Sequence, residues 1–387
     1  MLRNKSQYYI DSYIVFAVGI QSFLLILQHC LLAIFQINEE TATSLRVAMT
    51  VATMMPAIIF SAYRRFSLFF ITYFVALIIL LSTITIFPSN KPFIYREAFR
   101  FLLPVSFPCC LCLTTIRDYT ILKNALYIIS IATSILIFIY CIAYFRGSFV
   151  FYGYSMSFGY GCLLPMAILY SKENTISRII SFIILLVVFS IGSRGAALVF
   201  ILYVIIDVLL FDRRKLPFLC CIGFIAILMI PVFFTFLDKI DINSRTLSLL
   251  LQGDFFNYDS GRSDIYAKIY SLIIAEPFGH GVYGDRVALD GMYSHNFFLE
   301  ILFDFGIIGG FLIFVFLGGW ILSVYVKINK EKKRMLIQFI IVLLAPLMVS
   351  NSLLKDYNFG LLLGIIIVLN KNNNYSVSGG QGKYQEN

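Results

Sequence analysis

The sequence predicts an all-α fold: a polytopic integral membrane helix bundle of about twelve transmembrane helices, with one long extracytoplasmic loop that contains an amphipathic helix. Three observations predict it. Hydrophobic residues fill 60% of the 387 positions and charged residues only 13%, against about 45–50% and about 25% in a soluble globular chain; the mean hydropathy is +0.87. Apolar runs of bilayer-crossing length, about 17–25 residues, recur along the chain. The joints between them alternate in charge. With so few charges to cover a wetted surface, the formal net charge of +9 reads as membrane orientation and not as a nucleic-acid footprint.

The expected spans lie near 13–36, 43–62, 66–87, 98–116, 125–145, 155–171, 177–192, 195–211, 216–237, 297–326, 335–354 and 357–370. The start MLRNKSQYYID carries Arg3 and Lys5, but no small-residue cleavage site follows the first apolar stretch, which is expected to stay as the first span. Every second joint is basic: Arg64-Arg65, Arg117 with Lys123, Lys172 with Arg178, Asp212 to Lys215, and the run KINKEKKR at 327–334. The positive-inside rule makes that set cytoplasmic, puts both termini inside, and agrees with an even span count. The chain then divides into a nine-span bundle (1–237), an extracytoplasmic loop with candidate site residues (238–296), a three-span bundle (297–370) and a polar tail (371–387) that is expected to be disordered. No internal repeat of the matched-half kind found in secondary transporters is present.

All eight cysteines fall in apolar segments. Cys109-Cys110-Leu111-Cys112 lacks the spacing and histidine partners of a zinc site, so these are expected to be small core residues.

The loop 238–296 is long for so tightly threaded a chain, and such loops are functional or disordered. RSDIYAKIYSLIIAEP places Ile265, Ile269, Leu272 and Ile273 at helical spacing, an amphipathic stretch suited to the membrane surface. EPFGHGVYGD follows, with Gly279, Gly281 and Gly284 spaced G-x-G-x-x-G. A dinucleotide site needs a strand before that spacing and a helix opening at its last glycine. Here Pro277 precedes it and no helical apolar period follows before Ser294, so it reads as a turn.

Three charged features stand near the expected membrane edge. Arg194, in Gly192-Ser193-Arg194-Gly195, is held by a minimal joint at the edge of the hydrocarbon, where an ionisable group faces a cavity or a partner or snorkels to headgroups. Arg262, at the start of the amphipathic stretch, is a bidentate phosphate ligand or an ordinary solvated charge. His295-Asn296 opens a helix reading FFLEILFDFGIIGG, in which Gly306, Gly309 and Gly310 would admit a neighbouring helix. The positive end of the helix dipole favours a neutral imidazole at His295, the form a general base needs; a capping or tyrosine-bonded histidine is the structural alternative. His29, inside the first span, reads as an interhelical hydrogen-bonder.

HNFFLEILFDFGIIG resembles the His-Asn, nine residues, Gly-x-x-Gly signature of the O-antigen ligase and polymerase superfamily. GSRG (192–195), GRSDIY (261–266) and EPFGHGVYG (276–284) resemble its recurring elements in the same order. The resemblance implies a membrane glycosyltransferase of the bacterial plasma (inner) membrane, facing the periplasm or exterior, that uses a polyprenyl diphosphate-linked saccharide as donor. No cofactor, nucleotide or metal is implied. By motif, Arg194 and Arg262 would hold the diphosphate leaving group and His295 would activate the acceptor hydroxyl. Arg245, Arg286 and Arg100 are further candidates for diphosphate contact. Asn296, Glu300 and Asp304 would orient His295 or touch an acceptor sugar, or else form an interfacial polar face.

Guanidiniums fixed in a partly dry site suit a departing diphosphate, because negative charge accumulates there in the transition state. The expected activity is polymerisation of lipid-linked O-antigen or related repeat units, with membrane lipid and a chain-length regulator protein as further partners and no nucleic acid. Ligation to lipid A core, a capsule or exopolysaccharide variant, and a flippase without chemistry are the alternatives.

Overall fold

The computed structural model describes residues 2–145, 156–172, 174–191, 193–217 and 261–371. Among the described residues the regular elements are all helical. In chain order they are α1 (Leu2–Gly19), α2 (Gln21–Ile34), α3 (Glu39–Arg64), α4 (Phe66–Ile86), α5 (91–113), α6 (Tyr119–Phe145), α7 (Met156–Ser171), α8 (Thr175–Ser190), α9 (Arg194–Phe211), α10 (Arg262–Ala275), α11 (Gly284–Ala288), α12 (Phe297–Lys327), α13 (330–349) and α14 (Tyr357–Asn370).

Five of these helices, α3, α4, α6, α9 and α12, are long and apolar enough to cross a membrane, and six if α1 and α2 count as one bent span; α7, α8 and α14 are apolar but shorter. The expected ninth span, 216–237, lies outside the described residues from 218 onward, as do loop residues 238–260, which include Arg245, and the tail from 372.

Two expected spans differ from single straight helices. The first begins well before residue 13 and bends by 46° between α1 and α2. Its polar start is absorbed because Asp11 is buried and ion-paired with Arg64 of α3. The span at 297–326 is interrupted at Gly306, whose φ of 74° and ψ of 172° are not helical. The cause lies in the site described below.

The main core joins α1, α2, α3, α5, α6, α7, α8, α9, α13 and α14, with Phe69 of α4 and Val324 of α12 at its margin. Large apolar side chains such as Phe70, Phe74, Phe311 and Phe316 are exposed on α4 and α12, as helices facing lipid require. Close approaches depend on glycine. A Cβ at Gly360 of α14 would sit 2.0 Å from the Ser106 carbonyl oxygen of α5, and one at Gly364 would meet Leu113 at 2.8 Å. Residues 94–106 of α5 are wound as a π-helix around Pro104. Proline supplies no N–H to the ordinary ladder, so a wider local winding is a reasonable accommodation.

The joints expected to be cytoplasmic are gathered at one end. Arg64, Arg65 and Arg117 line one cavity there. Lys371 donates to the Thr114 and Ile116 carbonyls, and Lys332 to those of Leu369 and Lys371. Arg334 forms a two-pronged pair with buried Asp207, at 2.6 and 2.5 Å, and ties α13 to α9. The opposite end carries the His295 loop, the joint at Asn90 and residues 350–356.

The cysteines Cys30, Cys109, Cys110, Cys112, Cys141 and Cys162 are unpaired; Cys220 and Cys221 lie outside the described residues. His29 bridges helices, with its Nε2 3.0 Å from the Ser157 hydroxyl.

Candidate active site

The nine residues between Asn296 and Gly306 form one short helix with a cap at one end and a break at the other. Asn296 is the N-cap: its Oδ1 accepts from the Phe298 and Leu299 amides at 2.9 and 3.2 Å, which satisfies two of the donors a helix start leaves open. At the far end the turn 277–284 docks on the break. The His280 and Gly281 amides donate to the Phe303 and Asp304 carbonyls at 2.9 and 3.0 Å, and the Ile307 amide donates to the Pro277 carbonyl at 2.9 Å. Gly279 and Gly306 face each other with φ of 93° and 74°. A Cβ on either would lie 2.5 Å from the other segment's backbone, so both glycines are needed for conformation and for contact.

This docking explains the glycine spacing. The Asp304 carboxylate takes the Tyr283 and Gly284 amides at 3.1 and 3.2 Å. The amides that would cradle a phosphate in a nucleotide site are therefore occupied by α12. A five-residue helix, α11, does open at Gly284, which the sequence reading did not anticipate. The docking also corrects the expected role of Gly306, which admits this turn and not a neighbouring helix.

Arg286 of α11 is completely buried. Its Nη1 meets Asp285 at 2.5 Å and Glu300 at 2.7 Å, its Nε meets Glu97 of α5 at 3.4 Å, and its Nη2 bonds the Ser352 hydroxyl. Glu300 also accepts from the Ser352 hydroxyl at 2.6 Å and the Leu353 amide at 2.7 Å. The expectation of a diphosphate contact at Arg286 is corrected by this placement, since a guanidinium with no exposed surface, bonded through all three nitrogens to groups of the protein, is out of reach of substrate. Glu300 and Asp304 do not touch His295. They fasten the loop 283–294 and the joint 350–354 to the short helix.

His295 sits on that fastened loop. The Ser294 amide donates to Asp285 at 2.9 Å. His295 itself has φ of +54°, a left-handed conformation that histidine adopts more readily than most side chains. Its Nδ1 lies 2.9 Å from the Ser350 carbonyl oxygen. A carbonyl only accepts, so Nδ1 carries the proton and the lone pair is left on Nε2. Burial pushes the imidazole pKa below its ordinary value, the Ser350 bond opposes that shift, and the positive charge of Arg262 adds to it.

Ser350 is the hub of the arrangement. Its carbonyl also accepts from the Tyr293 hydroxyl at 3.1 Å. Its hydroxyl accepts from Arg262 Nη2 at 3.1 Å, lies 3.1 Å from the Tyr160 hydroxyl, and lies 3.2 Å from the Met156 sulfur. His295 and Arg262 therefore meet through one residue. Arg194 opens α9 beside this cluster: a Cβ on its neighbour Gly195 would lie 2.6 Å from the same Tyr160 hydroxyl. The Tyr266 hydroxyl, one turn along α10 from Arg262, donates to the His295 carbonyl at 3.4 Å.

Sequence reasoning missed Ser350, Tyr160, Tyr266 and Tyr293. Tyr266 closes the GRSDIY element but was given no role there, the other three occupy positions without a motif, and the contacts that matter cross between distant segments. The amphipathic helix was legible, but its partner was not. Ile269 and Ile273 of α10 are buried against Leu289 and Phe303, so this apolar face covers protein, where the sequence reading expected membrane surface. Arg100 is exposed on α5 and lines a cavity with Tyr293.

Residues 179–314 match the family model described as O-antigen ligase. The match covers about a third of the chain, takes in Arg194, Arg262, the glycine turn and His295, and is consistent with the O-antigen polymerase and ligase superfamily that the motifs indicate. No curated protein matches the chain.

Proposed function

We propose that this membrane protein, which carries an O-antigen ligase-family region, is a polymerase of lipid-linked saccharide repeat units. It would transfer the glycan of a polyprenyl diphosphate-linked donor onto a hydroxyl of another lipid-linked unit at the outer face of the bacterial plasma membrane. The observation that carries the reading is the meeting of His295 and Arg262 on Ser350.

In the reaction, the acceptor oxygen forms a bond to the anomeric carbon while the bond from that carbon to the diphosphate breaks. The diphosphate departs with the electron pair. His295 Nε2 takes the acceptor proton, which suits an imidazole kept neutral by burial. Arg262 and Arg194 stabilise the charge gathering on the leaving group, and the reading requires no metal. One base opposite one leaving group implies a single displacement with inversion at the anomeric carbon. Orientation follows from the basic joints gathered at the far end, which the positive-inside rule assigns to the cytoplasm.

Ligation to lipid A core is the second reading, favoured by the description of the matching family. One experiment separates the two. In cells carrying His295→Ala at normal protein level, a polymerase leaves single lipid-linked repeats and loses the ladder of long chains. Long chains stranded on the polyprenyl carrier would identify a ligase, and substrate held on the cytoplasmic side would identify a flippase. An unaltered ladder would remove His295 from the chemistry.

A further inference from the structure

A cavity of about 420 Å³ opens between α3, α5, α7 and the joint 351–358. It lies one side chain from His295, because Tyr293 lines it and stands 4.1 Å from the His295 ring. Neither Arg194 nor Arg262 lines it. Its polar end holds three cations, Arg46, Arg100 and Lys355, and one carboxylate, Asp356. Asp356 is engaged as a helix cap: it accepts from the Asn358 amide and side chain at 3.0 and 3.1 Å and from Asn351. Among the described residues, neither Arg46 nor Arg100 has an ion-pair partner; Lys355 rests over the Tyr293 ring at 5.7 Å.

The rest of the cavity is mainly apolar, with Gln21, Thr50, Ser157 and Tyr160 as polar interruptions. From Arg46 its wall follows α3 to Ile58 through Val51 and Met55, faced by Val105 of α5. Twelve rises of about 1.5 Å from Arg46 to Ile58 make a wall about 18 Å long. A soluble sugar has no use for such a wall, whereas a hydrocarbon chain does. The guanidiniums at its mouth offer an anion charged, bidentate partners. Three cations against one committed carboxylate suit a diphosphate better than the single charge of a bulk phosphodiester lipid.

We propose that this cavity is a second lipid-diphosphate site, which holds the acceptor: a long isoprenoid chain lies along Val51 and Met55, and its diphosphate lies on Arg46, Arg100 and Lys355. The inference rests on the polymerase reading, in which both substrates carry a diphosphate lipid. Arg262 reaches His295 through Ser350 and the cavity reaches it through Tyr293, so donor and acceptor diphosphates would approach the base along different contacts.

The test is the stoichiometry of binding of a sugar-free long-chain polyprenyl diphosphate to purified full-length protein, read by native mass spectrometry. Wild type should bind two molecules. Arg46→Ala/Arg100→Ala should bind one, with the second affinity weakened at least about tenfold, and the retained first molecule reports an intact fold. Met55→Trp fills the apolar wall without touching a charge and should also reduce the count to one, as should Arg194→Ala/Arg262→Ala through the other site. One molecule on wild type, two on the Arg46→Ala/Arg100→Ala variant, or loss of both from it would overturn the proposal. So would displacement of the second molecule by an equal concentration of phosphatidylglycerol, which would assign the cavity to bulk lipid. Binding is read without turnover, so a protein active in chain growth that binds one molecule sinks the second site alone. A protein that binds two but builds no chains sinks the polymerase reading.

Discussion

Replacing Arg286 by alanine should unfold the site before it affects any substrate. The substitution removes the buried cation shared by Asp285, Glu97 and Glu300, whose side chains are 0%, 6% and 1% exposed, and leaves only Glu97 with another cation, exposed Arg96 at 3.3 Å. Breaking a buried ion pair from one side costs about 3–5 kcal/mol. The three carboxylates share a single guanidinium, so their penalties do not sum, and that range stands for the cluster. At about 1.4 kcal/mol per factor of ten it amounts to a loss of roughly two to three and a half decades in the folded-to-unfolded ratio. Retention of monodisperse protein in detergent across a denaturant series would measure it, with Arg262→Ala as the half-buried comparison. Glu300→Gln added to Arg286→Ala removes one stranded charge and should restore part of the loss, with a coupling of about 0.5–3 kcal/mol. An Arg286→Ala protein as stable as wild type but with a raised donor KM would refute the argument and return Arg286 to the substrate.

Three other outcomes follow from the same geometry. Transfer should fall on acidification with a midpoint below the ordinary histidine value of 6.5, because burial lowers the His295 pKa and a base works only when deprotonated; a kcat/KM profile with its acid limb above 6.5 would contradict this. Gly306→Ala forces a side chain into a left-handed position 2.5 Å from the Phe278 carbonyl carbon, which should cost at least about 1–3 kcal/mol and lower the melting temperature far more than Gly318→Ala, where a Cβ meets nothing within 4 Å. Asn296→Ala should lose about 0.5–2 kcal/mol of cap stabilisation, and Asn296→Asp almost none of it; equal thermal shifts for the two would show that Oδ1 is not the group that matters.

The spacing at 295–306 shows what a sequence can disclose. His-Asn, nine residues and glycine is recognisable as a string because it is one physical object: a cap, two and a half turns of helix, and a break that only glycine can make. The amphipathic period of α10 is legible for the same reason, since both signals lie within a few turns of chain. Ser350 carries no such signal. It sits in a short polar joint 55 residues from His295 and 88 from Arg262, and its contacts exist only after the spans have packed. The bend between α1 and α2 and the π-wound stretch of α5 were hidden likewise, because hydropathy registers apolar content and not helix geometry.

Charge in this protein has two different occupations, and burial separates them. Arg286, Asp285, Glu300 and Asp304 are sequestered and matched to one another or to backbone amides, so their work is to fix the loop that bears His295 in a left-handed conformation that would not hold by itself. Arg46 and Arg100 keep cavity or surface exposure without an ion-pair partner among the described residues, and Arg262 reaches the Ser350 hub while only half-buried. Sequence pattern treats an arginine of the glycine-rich turn and an arginine of the amphipathic helix alike, because each is a cation near an expected membrane edge. Desolvation separates them: a guanidinium without surface, already bonded to three carboxylates, cannot gain from a diphosphate what it would lose by releasing them, whereas a half-buried one beside the Ser350 hub stays within reach of a diphosphate.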